Sequence, residues 1–241
     1  MFFGEFLFFG KYYSLKIHFL QLLWLAILCG CSFSAIKQEK ELDPYNRRVA
    51  IVSPDIEVSL MNAGGIAEPH VIWTQLAEKN LTKSIERKFE EAGLDFVGLR
   101  NLAGPTDGRE MQLIKLHSAV GMAIIEHQLN QGFGLPTKKG KLEWSLGPGA
   151  NYLGNKYRSD YALFVYVRDS YSSRGRMALI AVGFLLGVPI LGGNQSGFAS
   201  LVSLRTGDIV WFNTLERVSG DLRTLEGSKE TVSELLSNFP K

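Results

Sequence analysis

Apolar positions recur with a period of about four in some stretches of the chain and form short unbroken runs in others. Between residues 73 and 89 one apolar residue returns every four positions, at Trp73, Ala77, Leu81, Ile85 and Phe89. This spacing predicts a surface helix over 73–92, with Gly93 as its stop. A similar stripe predicts a second helix over about 108–130, with Leu113, Leu116, Val120, Ala123 and Ile124. Residues 227–239 are typical of a closing helix whose inward positions are Val232, Leu235, Leu236 and Phe239.

The short apolar runs predict the strands of a sheet. Residues 48–53 (RVAIVS) and 95–99 (DFVGL) are typical of core strands. Residues 161–167 (YALFVYV) are apolar at successive positions, the pattern of a central strand covered on both faces. Two further runs flank residues 205–208 (RTGD), where the glycine can supply the positive φ of a hairpin turn. This alternation of strands and helices predicts an α/β layered domain with a mixed β-sheet flanked by helices.

One further apolar stretch is much longer than the runs that predict strands. Residues 177–204 contain no Asp, Glu, Lys or Arg, and residues 177–193 are almost wholly apolar. As a helix the latter would rise about 26 Å, short of a bilayer core of about 30 Å, and glycines and Pro189 interrupt it. A buried or surface-embedded helix leading into a strand over 197–204 is the favoured interpretation, and a membrane span is the alternative.

The N-terminal region has the order of a secretory signal. Lys11 and Lys16 precede an apolar run over 18–28, which is too short to span a bilayer but fits a signal peptide. The following residues, Leu28-Cys29-Gly30-Cys31, resemble the lipobox of bacterial lipoproteins. The resemblance implies cleavage before Cys31 and lipidation of this cysteine, palmitate included, with a diacylglycerol joined to its sulfur as a thioether. A plain secretory signal or a transmembrane anchor is the alternative.

These features divide the chain into three parts. Residues 1–30 are predicted to be a lipoprotein signal peptide, the polar residues 31–46 a flexible tether, and residues 47–241 a periplasmic α/β domain. The residue after Cys31 is Ser32, whereas an aspartate there resembles the inner-membrane retention signal of Gram-negative lipoproteins. The outer membrane is therefore the predicted site of the lipid anchor, with the domain facing the periplasm.

Composition and motifs argue against several classes of function. The net charge of +2 provides no electrostatic field for nucleic acid. Because the chain has only Cys29 and Cys31, a disulfide or a cysteine metal site within the mature domain is excluded. His117 and His127 lie about 80° apart around a helix and nearly three turns apart along it, so they cannot share a metal ion. They are interpreted, with His70, as satisfied or half-exposed histidines.

Catalytic motifs are scarce as well. A phosphate-binding loop, a nucleophile elbow, HExxH and GxGxxG are all absent from the sequence. Asp55 and Glu57 would share one face of a strand and form the one local hint of paired carboxylates, but a solvated strand edge explains them equally well. The sequence therefore predicts a protein that is not an enzyme, with no catalytic residues, no metal site and no cofactor.

A polar segment over 168–176 follows the predicted central strand and is expected to be a loop. Partner sites in α/β sheets tend to lie beyond strand ends, and Tyr and Arg are enriched at binding hot spots. A solvated loop beside an apolar helix is the alternative interpretation. The candidate partner-binding residues of this segment are Arg168, Asp169, Tyr171, Arg174 and Arg176.

Two sequence blocks carry a resemblance to a known family. DYALFVYVRDSYSSRGR, a glycine-rich apolar stretch and GFASLVSLRTGDIVWFN together resemble proteobacterial outer-membrane lipoproteins. Their domain is similar to the N-terminal domain of TolB and to the curli-secretion and penicillin-binding-protein-activator lipoproteins. The resemblance covers about residues 46–240, and its motifs are structural. It implies a non-enzymatic role in the cell envelope.

The function predicted from the sequence is that of a lipid-anchored binding, scaffolding or assembly-accessory lipoprotein of the cell envelope. Its expected partners are the lipid bilayer, through acylated Cys31, and an unidentified envelope protein, and homo-oligomerisation is left open. The alternative is a subunit of an oligomeric, membrane-inserting secretion pore, suggested by the charge-free residues 177–204. Against the pore, the chain lacks a second clear pair of amphipathic membrane hairpins.

Overall fold

The computed structural model describes residues 36–37, 48–98, 106–129, 134–138, 141–218 and 220–240. These residues form one mixed sheet of eight strands with helices on both faces, which confirms the predicted fold class. The strands are β1 (Ile36–Lys37), β2 (Val49–Ile51), β3 (Asp55–Met61), β4 (Ala67–Pro69), β5 (Phe96–Val97), β6 (Tyr161–Ser172), β7 (Gln195–Ser203) and β8 (Ile209–Arg217). The α-helices are α1 (Val71–Glu91), α2 (Gly108–Ile124), α3 (Asn151–Tyr157), α4 (Arg174–Leu185) and α5 (Leu225–Leu235).

Strand β6 is the centre of the sheet. On one side β2 pairs in parallel with its first residues and β3 pairs in parallel with its last residues. On the other side β7 and then β8 pair in antiparallel order, and β1 adds to the far edge of β8. Strand β5 extends the sheet beyond β2, and β4 forms a hairpin with β3.

The apolar run at the start of β6 explains why this strand lies at the centre. Leu163, Val165 and Val167 face one core, whereas Ala162 and Phe164 face the other, and all are buried. A strand covered on both faces needs apolar side chains at successive positions, as residues 161–167 provide. The predicted central strand is therefore confirmed.

The first core lies between the sheet and helices α1 and α5. Four of the five residues of the predicted α1 stripe are buried: Ala77, Leu81, Ile85 and Phe89. Trp73 is half-buried and packs at the edge of the same core. From α5 and the turn after it, Val232, Leu235 and Leu236 are buried here, and Phe239 packs against them, so both helix predictions are confirmed.

The second core lies under helices α2 and α3. The stripe predicted for α2 is only partly right, because Leu116 is 41% exposed while Ile114 and His117 are buried. The true stripe continues through Gly121, where a Cβ atom would collide with the Phe198 ring. A bulky side chain is therefore excluded where the helix lies closest to the sheet. After α2 the chain continues as a π-helical turn, Ile125–Leu129.

An ion-pair network joins the start of α2 to α3 at the end of the sheet where β6 begins. The buried Glu110 carboxylate accepts hydrogen bonds from Lys156 Nζ at 2.8 Å and from the Tyr157 hydroxyl at 2.6 Å. Asp107 caps α2 and also accepts from Lys156 Nζ, at 2.7 Å. The buried carboxylate is thus paired and hydrogen-bonded, the condition under which charge is tolerated inside a protein.

Two further parts of the structure bear on the predictions. The 205–208 turn joins β7 to β8, and Gly207 adopts φ +82°, as the hairpin signal predicted. Ile36–Lys37, in the middle of the predicted tether, pair with β8 as strand β1. Residues 1–35, which include Cys31, and the rest of the predicted tether lie outside the described residues, so the signal peptide and the anchor stay predictions.

Candidate functional site

The charge-free stretch projects from one end of the sheet as a compact hairpin. Ser173 caps α4, its side chain accepting from the Arg176 amide, and the helix ends before Gly187, which adopts φ +70°. The chain then turns back, and the Val188 amide donates to the Gly183 carbonyl at 2.8 Å. We call residues 174–194 the apolar hairpin, and the end of the sheet that carries it the α4 end. Strands β3, β6 and β8 finish at this end, and β7 begins there.

The two arms of the apolar hairpin touch at Gly183. A Cβ atom there would lie 2.6 Å from the Val188 carbonyl oxygen and 2.8 Å from Ile190 Cδ1. Gly183 is buried, and Ile180 and Ile190 are half-buried. These few contacts hold the two arms of the hairpin together, and most of its side chains are exposed to solvent.

The remaining large apolar side chains of the hairpin are exposed. Phe184 is 84% exposed, Leu185 82% and Leu191 80%. The other exposed members are Met177, Leu179, Val182, Leu186 and Val188. The sequence left a buried and a surface-embedded helix open, and the buried form is wrong, because the helix extends beyond the sheet, where no described element covers it. The strand expected after the helix is confirmed as β7. None of the helices in the described ranges meets the length and hydropathy that a transmembrane segment requires.

Arg176 ties the base of the hairpin to the rest of the domain. Its Nε and Nη2 atoms donate to the Leu191 carbonyl at 3.0 and 2.7 Å, and Nη1 donates to the Ala63 carbonyl at 3.3 Å. The Gly193 amide donates to Ser172 Oγ at 3.0 Å. Arg174, at the first turn of α4, is exposed. The base of the hairpin is thus polar and well held.

Two other connections at the α4 end also expose apolar side chains. Ile66 lies in the turn between β3 and β4 and is 65% exposed, and Val218 follows β8 and is 91% exposed. These residues are far from the hairpin in sequence, yet they belong to segments that end at the same edge. The apolar surface of the α4 end is therefore wider than the hairpin alone.

The five predicted partner-binding residues do not form one loop. Strand β6 extends to Ser172 because β3 pairs with it as far as that residue, so the predicted loop over 168–176 is wrong. Arg168 lies on β6 and donates to Asp55 Oδ1 at 3.0 Å and to the Asp55 carbonyl at 2.9 Å. Arg174 and Arg176 belong to α4. The binding role proposed for these residues stays a prediction.

Asp169 and Tyr171 are on the opposite face of β6 from Arg168, as alternate strand positions must be. The Tyr171 hydroxyl donates to the buried Asp169 carboxylate, which also accepts from the Leu222 amide at 3.2 Å. Burial raises the pKa of the Asp169 carboxyl, although these hydrogen bonds oppose the shift. The Arg223 guanidinium lies 3.7 Å from the Tyr171 ring centroid. Asp169 and Tyr171 therefore contact residues 220–224 of the same chain, and these contacts belong to the fold.

Asp55 connects three elements. Its carboxylate accepts from Lys115 Nζ at 2.8 Å, Ser118 Oγ at 2.9 Å and Arg168. Burial disfavours the charged carboxylate, but the hydrogen bonds from Lys115 and Ser118 and the charge of Arg168 hold the pKa of Asp55 below its usual value. Asp55 is therefore a buried ion-pair partner, and the solvated strand edge expected for it is wrong. Glu57 accepts from Ser59 Oγ at 3.3 Å.

A serine and histidine pair, which the sequence did not suggest, lies in the second core. His117 Nε2 and Ser200 Oγ are 2.8 Å apart, and both side chains are almost fully buried. Burial lowers the pKa of His117 to about 3. The rings of Phe164 and Phe198 enclose the imidazole, so a substrate has no access to the pair. This geometry is that of a satisfied core histidine, as predicted for His117.

His70 and His127, the two other histidines within the described ranges, lie in or next to helical segments. His70 caps α1, with Nδ1 accepting from the Trp73 amide at 3.4 Å, and its ring stacks on Trp73. His127 lies in the π-helical turn. Within the described ranges no group of three His, Cys, Asp or Glu residues could hold a metal ion.

Comparisons with known proteins give structural neighbours only. No protein-family model matches the chain, and no curated protein sequence does. The PelC dodecamer from Paraburkholderia phytofirmans is 10% identical, with 87% of this chain and 99% of that chain covered and a TM-score of 0.36. Lipoprotein GNA1162 from Neisseria meningitidis is 14% identical, with 80% and 94% covered and a TM-score of 0.36. The LpoB C-terminal domain from Salmonella enterica is 14% identical, with 81% and 93% covered and a TM-score of 0.25.

Proposed function

We propose that this protein is a lipid-anchored, non-enzymatic accessory protein of the cell envelope that binds its partner through the α4 end. The observation that carries the proposal is the exposed apolar hairpin. Soluble domains rarely leave a contiguous apolar surface uncovered, and such surfaces mark interaction sites with proteins or membranes. The hairpin is held at its base by Arg176, so its shape is set before any partner binds.

The proposed lipid anchor suits this surface. Strand β1 runs antiparallel to β8, which ends at the α4 end, so Ile36 is the residue of β1 nearer to the α4 end. Five peptide steps join Cys31 to Ile36, and they span at most about 18 Å. An acyl chain on Cys31 would therefore keep the domain close to the membrane and would allow the α4 end to reach it.

The polar clusters support a binding role over a catalytic one. Asp55, Asp169 and Glu110 are engaged in hydrogen bonds that join elements of the fold. Ser200 and His117 satisfy each other inside the core. These carboxylates and the Ser200 and His117 pair thus serve packing, whereas the apolar hairpin exposes apolar side chains.

The anchor is tested by metabolic labelling of cells with a palmitate analogue. We expect the wild-type chain to be labelled and to fractionate with the outer membrane, and the Cys31→Ala variant to be unlabelled. A Ser32→Ala variant, which keeps the thiol, is the matched control and should be labelled. An unlabelled wild-type chain, or a labelled Cys31→Ala chain, would refute the lipoprotein part of the proposal.

The working surface is tested with a photo-crosslinking amino acid placed in living cells. At position 185 on the hairpin we expect adducts with envelope lipid or protein. At position 111, which is also exposed but lies near the start of α2 at the opposite end, we expect few. Equal yields at both positions would remove the α4 end as the binding surface.

The exposed hairpin also favours a second candidate, a subunit of an oligomeric pore. In that function the apolar hairpins of several copies would meet lipid in an assembled ring. Residues 32–241, made without the lipid, separate the two candidates. A monomer that needs no detergent supports the accessory protein, and a detergent-dependent ring supports the pore.

A further inference from the structure

We infer that the apolar hairpin inserts into the headgroup and outer acyl region of a lipid bilayer as a monotopic contact. This inference rests on the proposed function and names lipid as the partner of the α4 end. The hairpin would lie in the membrane surface without crossing it. The inference therefore commits to lipid as the partner of this surface and excludes a peptide or a second copy of the chain.

The distribution of apolar residues around α4 favours lipid over a protein partner. A helix that packs on one protein surface needs a single apolar stripe and keeps a polar face toward water. In α4 the exposed residues Met177, Leu179, Val182 and Leu185 cover an arc of about 200° around the helix axis. Gly183, on the remaining face, contacts the returning arm, which exposes Val188 and Leu191 as well. Two copies packed through one stripe would still leave the other faces in water. The acyl chains of a bilayer, in contrast, can surround all of these exposed side chains.

The dimensions favour shallow insertion. Helix α4 has 12 residues and a length of about 18 Å, which is well short of the roughly 30 Å hydrocarbon core. The chain then reverses at Gly187, so the most exposed side chains, Phe184 and Leu185, are at the tip. A hairpin of this length cannot cross the bilayer, and when it lies along the membrane surface it stays in the outer part of one leaflet, the depth at which amphipathic and monotopic segments bind.

The charge pattern of the apolar hairpin itself suits a membrane surface. The chain has no acidic residue between Asp169 and Asp208, while Arg174 and Arg176 directly precede the apolar run. The Arg174 side chain is exposed at the base of the hairpin. Cations at the boundary of an apolar segment suit the phosphate region of a bilayer, because the apolar part reaches the acyl chains while the guanidinium stays in the interface.

Continuity with other exposed residues supports the same orientation. Ile66 and Val218 expose apolar side chains at the α4 end, and they come from two separate connections. A flat lipid surface could contact these segments together, in the orientation that an acylated Cys31 would allow.

Vesicle flotation of residues 32–241 tests the inference, because this chain contains every described residue and lacks Cys31. We expect the chain to float with vesicles of phosphatidylethanolamine and phosphatidylglycerol. The Phe184→Ser/Leu185→Ser variant should bind at least tenfold more weakly. Its melting temperature should be unchanged, since both side chains project into solvent. The Met111→Ser variant, at the opposite end, should float as the wild-type chain does.

Depth is tested with a Phe184→Trp variant. We expect its fluorescence to shift to shorter wavelength on vesicles and to be quenched more by bromine near the top of the acyl chains than by bromine near their ends. A Met111→Trp variant should show neither change. Absence of flotation, or equal flotation of the Phe184→Ser/Leu185→Ser variant, would overturn the inference.

A second copy as the partner would give a different pattern. In that case residues 32–241 would be oligomeric without lipid, and the Phe184→Ser/Leu185→Ser variant would be monomeric. That result would also overturn the inference, while the proposed accessory function would stand. Failure of palmitate labelling, conversely, would refute the lipid anchor without affecting flotation of a chain that has no Cys31.

Discussion

His117 and Ser200 show how single polar residues are accommodated in the second core. Their side chains satisfy each other at 2.8 Å, between aromatic rings. Because burial lowers the pKa of His117 to about 3, the imidazole is neutral at neutral pH and fits an apolar environment. The sequence indicated a satisfied histidine, but its partner lies 83 positions away and could not be read from it.

The first prediction follows from this pKa. In the unfolded chain His117 takes up a proton below about pH 6.5, whereas in the folded chain it does so only near pH 3. Protons therefore favour unfolding, and the contribution of His117 to stability is complete above pH 6.5 and is lost as the pH falls. At pH 5 the loss should be about 2 kcal/mol in the free energy of unfolding. Urea unfolding at pH 7 and pH 5 measures it.

A His117→Gln variant is the control, because the amide has no proton to gain in this range. Its free energy of unfolding should be lower at pH 7 but should fall less between pH 7 and pH 5. Asp55 and the other carboxylates titrate in both chains, so the difference between the two slopes isolates the imidazole. Identical slopes would contradict the assignment of a neutral, buried His117.

At the scale of elements, the second half of β6 shows where local sequence is insufficient. Residues 168–172 are polar and were expected to be a loop. They form a strand because β3 pairs beside them as far as Ser172, and β7 pairs with Arg168 and Asp169 from the other side. The partner strands come from distant parts of the chain, and no local sequence pattern predicts which of their residues pair with residues 168–172.

The second prediction separates packing from binding in this strand. Tyr171→Phe removes a hydroxyl donor from the buried Asp169 carboxylate, so the free energy of unfolding should fall by about 1–2 kcal/mol. Arg174→Ala changes an exposed residue and should alter it by less than about 0.5 kcal/mol. Urea unfolding of both variants gives the comparison. An unchanged Tyr171→Phe stability with weakened partner capture would instead make Tyr171 a binding residue.

The third prediction concerns the contact between the arms of the apolar hairpin. Gly183→Ala would place a methyl group 2.6 Å from the Val188 carbonyl oxygen, so the arms must separate. We expect the Val188 amide, which donates to Gly183, to exchange its hydrogen at least tenfold faster. Amide exchange followed by nuclear magnetic resonance measures this. An Ala178→Ser variant on the exposed side of α4 is the control, and unchanged exchange in Gly183→Ala would show that the arms do not depend on this contact.

The elements differ in how far the sequence predicted them. Helix α1, the start of β6 and the turn at Gly207 have strong local patterns, and all three were predicted correctly. The stripe of α2 was partly misassigned, because burial there depends on where the helix crosses Phe198. For the apolar run of the hairpin the sequence left a buried and a surface-embedded helix open, because a local pattern does not show which elements cover a helix. The exposure of the hairpin follows only from its position beyond the end of the sheet.

At the scale of the whole molecule, the two ends of the sheet differ in chemistry. At one end the Asp107, Glu110 and Lys156 network joins α2 to α3 through ion pairs. At the other end the apolar hairpin, Ile66 and Val218 expose apolar surface. This asymmetry would give the domain a preferred orientation toward an apolar partner. In the proposed envelope protein the path from Cys31 to Ile36 is long enough to allow the same orientation.

The last prediction tests that orientation in membranes. The chain has only Cys29 and Cys31, so after the proposed cleavage and acylation no free thiol would remain. A Leu185→Cys variant then carries a single reactive thiol at the tip of the apolar hairpin, and a Met111→Cys variant carries one at the opposite end. In isolated outer membranes we expect a bulky water-soluble maleimide to label position 185 at least tenfold more slowly than position 111, because lipid covers the hairpin. Detergent that disperses the bilayer should make the two rates similar. Equal rates in intact membranes would show that the α4 end faces water, and the proposed orientation would then be wrong.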